Sequence, residues 1–153
     1  MGGMTGLQQS RLLALAVSGG LLGGAYVSQY GFGLFPCEMC WWQRYPHFAA
    51  LALALVSFLA APQRVWVALA GLAILTSGLI GGFHAGVEYG WWEGITGCST
   101  MPSGIDVMDV SAAPLIRCDV APWTLFGISL AGFNFLFSCV GGAAVVALAA
   151  YRK

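Results

Sequence analysis

Four long stretches of this chain carry no Asp, Glu, Lys or Arg: residues 12–37, 45–63, 65–87 and 120–151. A helix needs roughly 20 mostly apolar residues to cross the hydrocarbon core of a bilayer, so each stretch can supply one span. Hydrophobic types make up 59% of the chain and charged types 8%, against about a quarter charged in a soluble domain. Such a composition buries too readily for a disordered chain. Six basic residues against six acidic ones leave no basic field for nucleic acid.

The expected fold is therefore an all-α membrane protein, a four-transmembrane-helix bundle forming one domain over residues 1–153. The spans are expected at about 12–30, 46–62, 65–86 and 123–150, with Pro46 and Pro62 at the margins of the second, where a proline costs little. The first is read as a span, not a signal peptide, because its apolar stretch is long and Arg11 is its only basic flank. Loops at about 31–44 and 88–119 lie on one side, and the longer holds Glu88, Glu93, Asp106, Asp109, Arg117 and Asp119. Arg11, Arg64, Arg152 and Lys153 lie on the other side, with both termini. Basic residues concentrate on the cytoplasmic face, so both termini are expected in the cytoplasm and both loops outside it. Trp41, Trp42, Trp91, Trp92 and Trp123 fall near the outer boundary, where amphipathic rings are favoured. Small-residue stripes, Gly19/Gly20/Gly23/Gly24 and Gly78/Gly82/Gly86, are read as helix-packing faces.

Four of the five cysteines, Cys37, Cys40, Cys98 and Cys118, fall in the two outer loops; Cys139 lies mid-span and reads as a small buried apolar side chain. On an oxidising face such cysteines can pair, and three connectivities are open. Cys37 and Cys40 form a C-x-x-C. Closing so small a loop removes little unfolded-chain entropy, and this spacing suits a pair that opens and closes. Haem attachment is excluded, because Trp41 stands where His is required. A zinc site would want a second hook, and Cys98 and Cys118 are too far apart to be one; no metal site is expected.

Arg44 follows Cys40 by four residues, so on a helix the two share a face. A guanidinium there favours the thiolate. The bland alternative is an arginine reaching for lipid headgroups.

The run Pro36-Cys37-Glu38-Met39-Cys40-Trp41-Trp42-Gln43-Arg44 resembles the first external loop of the disulfide bond formation protein B (DsbB) family. The resemblance extends over nearly the whole chain: four spans, C-x-x-C in the first outer loop, an Arg four residues on, and a further cysteine pair in the longer loop. It implies a protein thiol:quinone oxidoreductase of the bacterial inner membrane. Such an enzyme reoxidises a periplasmic DsbA-like thiol oxidase and passes the electrons to ubiquinone or menaquinone. By position, Cys98 would take the partner's attack, with Cys118 as the other member of that pair. Cys37 and Cys40 would receive the electrons, with Cys40 facing the quinone. Arg44 would stabilise charge on the thiolate and the quinone. His84, with Glu88 at i+4, is a candidate quinone contact or proton handler, and Gln43 a candidate head-group contact. Residues 94–97 look extended and suited to a partner's groove, and Ile105, Met108 and Ala112 could share one face of a short helix.

Two other readings stand beside this one. A vitamin K epoxide reductase-like enzyme also has four core spans and a membrane C-x-x-C, but places that motif in its last core span. A non-enzymatic scaffold with disulfide-stapled loops would need none of the chemistry.

Overall fold

The computed structural model describes residues 5–97 and 116–151. Cys98 and the expected 105–112 helix face lie outside the described residues. Four long helices dominate: α1 Gly6–Phe32, α2 Glu38–Leu59, α3 Gln63–Glu88 and α4 Leu130–Ala150. Between α3 and α4 comes a two-stranded hairpin, β1 Thr124–Leu125 and β2 Ile128–Ser129, paired Thr124↔Ser129 and Leu125↔Ile128.

The helices alternate in direction. At one end, Arg11 near the start of α1 donates from Nε to Ser57 Oγ at 3.0 Å, and its guanidinium lies 4.5 Å over the Phe58 ring near the end of α2. At the same end, Arg64 at the start of α3 donates to the carbonyls of Ala149 and Tyr151, both at 2.8 Å. These arginines neutralise orphan carbonyls at helix ends. Arg11, read as the basic flank of the first span, lies inside α1, which begins at Gly6 behind a Thr5/Gln8 capping box, and is buried against the end of α2. The opposite end collects the start of α2, the end of α3 and the hairpin.

Helices α1, α3 and α4 are long and apolar enough to cross a membrane. Helix α2 is not in that class, because polar side chains fill its first turns: Glu38, Gln43, Arg44 and His47. Three span starts differ from expectation by a turn or more. The first helix begins at Gly6 instead of residue 12. The second helix begins at Glu38 instead of residue 46, and Pro46 lies inside it. In the turn before the proline, Ser77 Oγ, on α3, donates to the Gln43 carbonyl at 2.7 Å. The fourth helix begins at Leu130 instead of 123, because Phe126 and Gly127, both at positive φ (51° and 77°), fold residues 124–129 into the hairpin. Residues 95–97 bend and turn instead of running extended.

The two glycine stripes part company. On α3, an added Cβ would lie 2.9 Å from Cys139 Sγ at Gly78 and 2.7 Å from the Phe135 ring at Gly82; these glycines bring α3 against α4, as expected. On α1, nothing among the described residues lies within 4 Å of a Cβ built at Gly19, Gly20, Gly23 or Gly24. That stripe packs no helix, and Gly20 and Gly24 instead form a wall of a cavity.

Candidate functional site: two sulfur centres beside a cavity

Cys37 is the N-cap of α2, and its Sγ accepts the Cys40 backbone N–H at 3.2 Å. The helix thus starts on the C-x-x-C itself and brings Cys40 one turn above Cys37, the two Sγ atoms 2.6 Å apart. Both are free thiols, whereas Cys118 is disulfide-bonded. Cys118 is fully buried and clusters with Cys37, Met39 and Val87. The Cys37 and Cys118 sulfurs and a His84 ring nitrogen all lie within 4.8 Å of one another. The trio has the makings of a metal site, but a sulfur held in a disulfide is no thiolate ligand, so the grouping is read as sulfur chemistry.

A buried hydrogen-bond network fixes the proton on His84. Asn134 Nδ2, on α4, donates to the Ser77 carbonyl at 3.1 Å, which orients that amide. It also donates to Gln43 Oε1 at 2.9 Å. Gln43 Nε2 therefore is the donor to the Met39 carbonyl at 3.1 Å and to His84 Nδ1 at 2.8 Å. With Nδ1 an acceptor, the neutral ring carries its hydrogen on Nε2. That N–H donates to the Cys118 carbonyl at 3.1 Å and faces Cys37 Sγ at 3.6 Å. Glu88 Oε1 lies 3.8 Å from the same nitrogen.

Cys37 and Cys40 precede the charge-free part of α2, so both thiols titrate outside the apolar span. The two sulfurs share one proton unequally. The close contact between the two sulfurs, in which either can be the donor, holds the Cys40 pKa below that of an ordinary thiol. The same contact, together with burial, pushes Cys37 well above it. Cys40 is the sulfur that becomes thiolate.

Beside this pair lies a cavity of about 220 Å³. Its polar lining includes Gln43, Arg44, His47, His84, Glu88 and Asn134, and Cys40 opens onto it. Arg44 reaches across to α1, donating to Gln29 Oε1 at 2.7 Å and the Ala25 carbonyl at 3.3 Å. Its guanidinium is held between the Tyr26 and Trp41 rings, 5.0 and 4.9 Å from their centroids. It was expected at the Cys40 sulfur; it sits instead across the cavity, acting on Cys40 through charge alone.

Cys37, Cys40, Gln43, His84 and Cys118 thus converge, with Arg44 facing them. His47 and Asn134 were not anticipated from the sequence. His47 donates from Nε2 to Asn134 Oδ1 at 3.1 Å, and its Nδ1 accepts from Ser18 at 3.3 Å. The available signal was simply their presence in apolar stretches, since polar side chains within a span face the bundle interior or a cavity.

A family model described as "Disulfide bond formation protein DsbB" matches residues 8–149. The chain belongs to the DsbB family. Among curated relatives, disulfide bond formation protein B of Verminephrobacter eiseniae is 32% identical over 153 aligned residues, covering 91% of this chain and 83% of the relative. The protein of the same name from Azoarcus sp. is also 32% identical, over 82% of this chain and 80% of the relative. The Rickettsia prowazekii protein RP370 is 24% identical over 83% of this chain. No solved structure matches significantly. In this DsbB-family chain the C-x-x-C stands at the head of the second helix, unlike the late motif of the vitamin K epoxide reductase type.

Proposed function

We propose that the chain is a protein dithiol:quinone oxidoreductase of the bacterial inner membrane. It spans the bilayer four times with both termini cytoplasmic, and it reoxidises a DsbA-like periplasmic partner. The observation that carries this reading is the approach of Cys37, Cys118 and His84 to within 4.8 Å, beside a cavity onto which Cys40 opens.

The partner's thiolate attacks Cys98, and Cys118 leaves as thiolate. Cys118 then attacks the Cys37 sulfur of an oxidised Cys37–Cys40 pair, and Cys40 is the leaving group. A leaving thiol of low pKa departs faster, and Cys40 is the sulfur whose pKa is depressed. The His84 Nε2–H faces the sulfur under attack and stabilises charge building there. The partner's second thiolate then displaces Cys98, which releases the partner oxidised, and the freed Cys98 attacks the Cys118 sulfur, re-forming the Cys98–Cys118 bond and releasing Cys37. Each disulfide broken is thus matched by one formed, two electrons pass to the inner pair, and it ends as the dithiol.

A quinone supplies the final two-electron, two-proton sink. The cavity fits such a ring. An apolar cavity of about 150 Å³ accepts benzene, and this one holds about 220 Å³. Arg44 supplies a guanidinium donor to its lining, and Gly20 and Gly24 leave the α1 side open. DsbA is a strong oxidant, at roughly −120 mV, so the sink and not the protein drives turnover. The test is quinone reduction by reduced DsbA with ubiquinone or menaquinone. Wild type should turn over, whereas Cys37→Ser and Cys98→Ser should be inactive; activity surviving in either variant would refute the relay.

A further inference from the structure

Glu88 ends α3 with a side chain only 2% exposed. Among the described residues its Oε2 is buried without a hydrogen-bond partner of normal geometry, and the residue lines the cavity. Its other contacts face the sulfurs: Oε1 lies 3.8 Å from His84 Nε2, and its charge acts on both Cys37 and Cys40. The titratable and charged groups around it are His84 of α3, Cys37 and Cys40 at the head of α2, and Arg44 across the cavity. From β2 the Ser129 hydroxyl acts on the carboxylate as a hydrogen-bond donor, and the cavity-lining residues of α1 do not titrate. Leaving a buried carboxylate oxygen without a partner is costly, so a structural role explains Glu88 poorly.

We propose that Glu88 is the proton carrier between the sulfur pair and the cavity. The inference rests on the quinone reading above. When the Cys37–Cys40 dithiol closes, two S–H bonds break, one S–S bond forms, and two electrons and two protons leave for an acceptor of the quinone class. Glu88, as carboxylate, takes the proton of one thiol, delivers it into the cavity as carboxylic acid, and returns to carboxylate. It then repeats the step for the second proton, so atoms and charge balance. His84 does not serve, because its Nδ1 is occupied by the Gln43 N–H and its Nε2 already bears a hydrogen. It polarises sulfur without picking up a proton.

The test compares wild type, Glu88→Gln and Glu88→Asp. In quinone-free protein, the infrared difference between the dithiol and disulfide forms should contain a carboxyl band that vanishes in Glu88→Gln and shifts in Glu88→Asp. With ubiquinone added, Glu88→Gln should reduce it about 10²–10⁴-fold more slowly, the usual range for a lost acid–base group. Glu88→Asp should be intermediate, which separates proton carriage from misfolding. An infrared difference unaffected by Glu88→Gln, or a wild-type rate and pH profile in that variant, overturns this inference alone. Failure of the wild type to reduce quinone from a dithiol overturns the quinone reading, and this inference with it.

Discussion

Gln43 Nε2 stands 2.8 Å from His84 Nδ1, and that one contact decides what the histidine can do. A donor on Nδ1 leaves the Nε2–H to face the sulfurs and disfavours the imidazolium, which would present two donors to each other. Gln43→Leu removes the donor and also takes the Gln43 Oε1 acceptor from one N–H of the Asn134 amide. The expected cost is about 1–3 kcal/mol of stability for the unsatisfied groups. In nitrogen NMR, the His84 ring should change from a single Nε2–H form to a tautomer mixture. An unchanged ring spectrum would show that Gln43 does not set the tautomer.

The thiol pair predicts an uneven titration. Cys40 is depressed by the close contact with Cys37, so its thiolate persists below the pH at which an ordinary thiol is protonated; Cys37 is raised, so the second proton stays on throughout the physiological range. Alkylation of reduced protein near neutrality should therefore modify Cys40 once and leave Cys37 slow. Cys37→Ala takes away that contact, and the Cys40 pKa should rise toward the ordinary thiol value. Thiolate absorbance against pH reads this directly; a Cys40 titration unmoved by the substitution would place the cause elsewhere.

Much of this arrangement was legible in the sequence because its signals are local. Stretches free of charge announced helices α1, α3 and α4, and the C-x-x-C with Gln43 and Arg44 announced the site. What escaped depended on packing. The extension of α2 back to Glu38 has Cys37 as its cap and Ser77 bonding the turn before Pro46, which no propensity encodes. His47 and Asn134 are far apart in sequence, at positions joined only when α2 meets α4. Arg44 was matched to Cys40 by helical spacing, yet Gln29 and the rings of Tyr26 and Trp41 hold its head toward α1. The two glycine stripes look alike as patterns, and only the neighbouring helix distinguishes a packing face from a cavity wall.

Gly81 is the tightest point between the network and the α4 backbone. A Cβ there would lie 2.9 Å from the Ala131 carbonyl oxygen and from Asn134 Nδ2, and 3.1 Å from Gln43 Oε1. Gly81→Ala should cost about 1–3 kcal/mol, the range for overpacking, and should disturb His84 through Gln43. Gly23→Ala, where nothing among the described residues lies within 4 Å, should be close to neutral or slightly stabilising, since Ala favours helix. Thermal unfolding in detergent of both variants checks the contrast; equal stability would contradict the close approach of α3 and α4.

The open α1 wall gives a way to separate ring binding from sulfur exchange. Gly24 lines the cavity, and a Cβ built on it meets nothing among the described residues within 4 Å, so a larger side chain there can grow into the space without straining the helix. Gly24→Leu removes volume from a cavity of about 220 Å³, and the added branched side chain occupies room that a substituted ring requires. The sulfur cluster at Cys37 and Cys118 does not involve this residue. The variant should therefore still exchange disulfides with a reduced dithiol partner at the wild-type rate in a single turnover, while steady-state quinone reduction falls at least about tenfold through a raised KM, as expected when binding is lost and the chemistry is not. Loss of both activities would mean that the cavity and the sulfur relay are one structural unit. Retention of both would mean that the ring acceptor binds elsewhere.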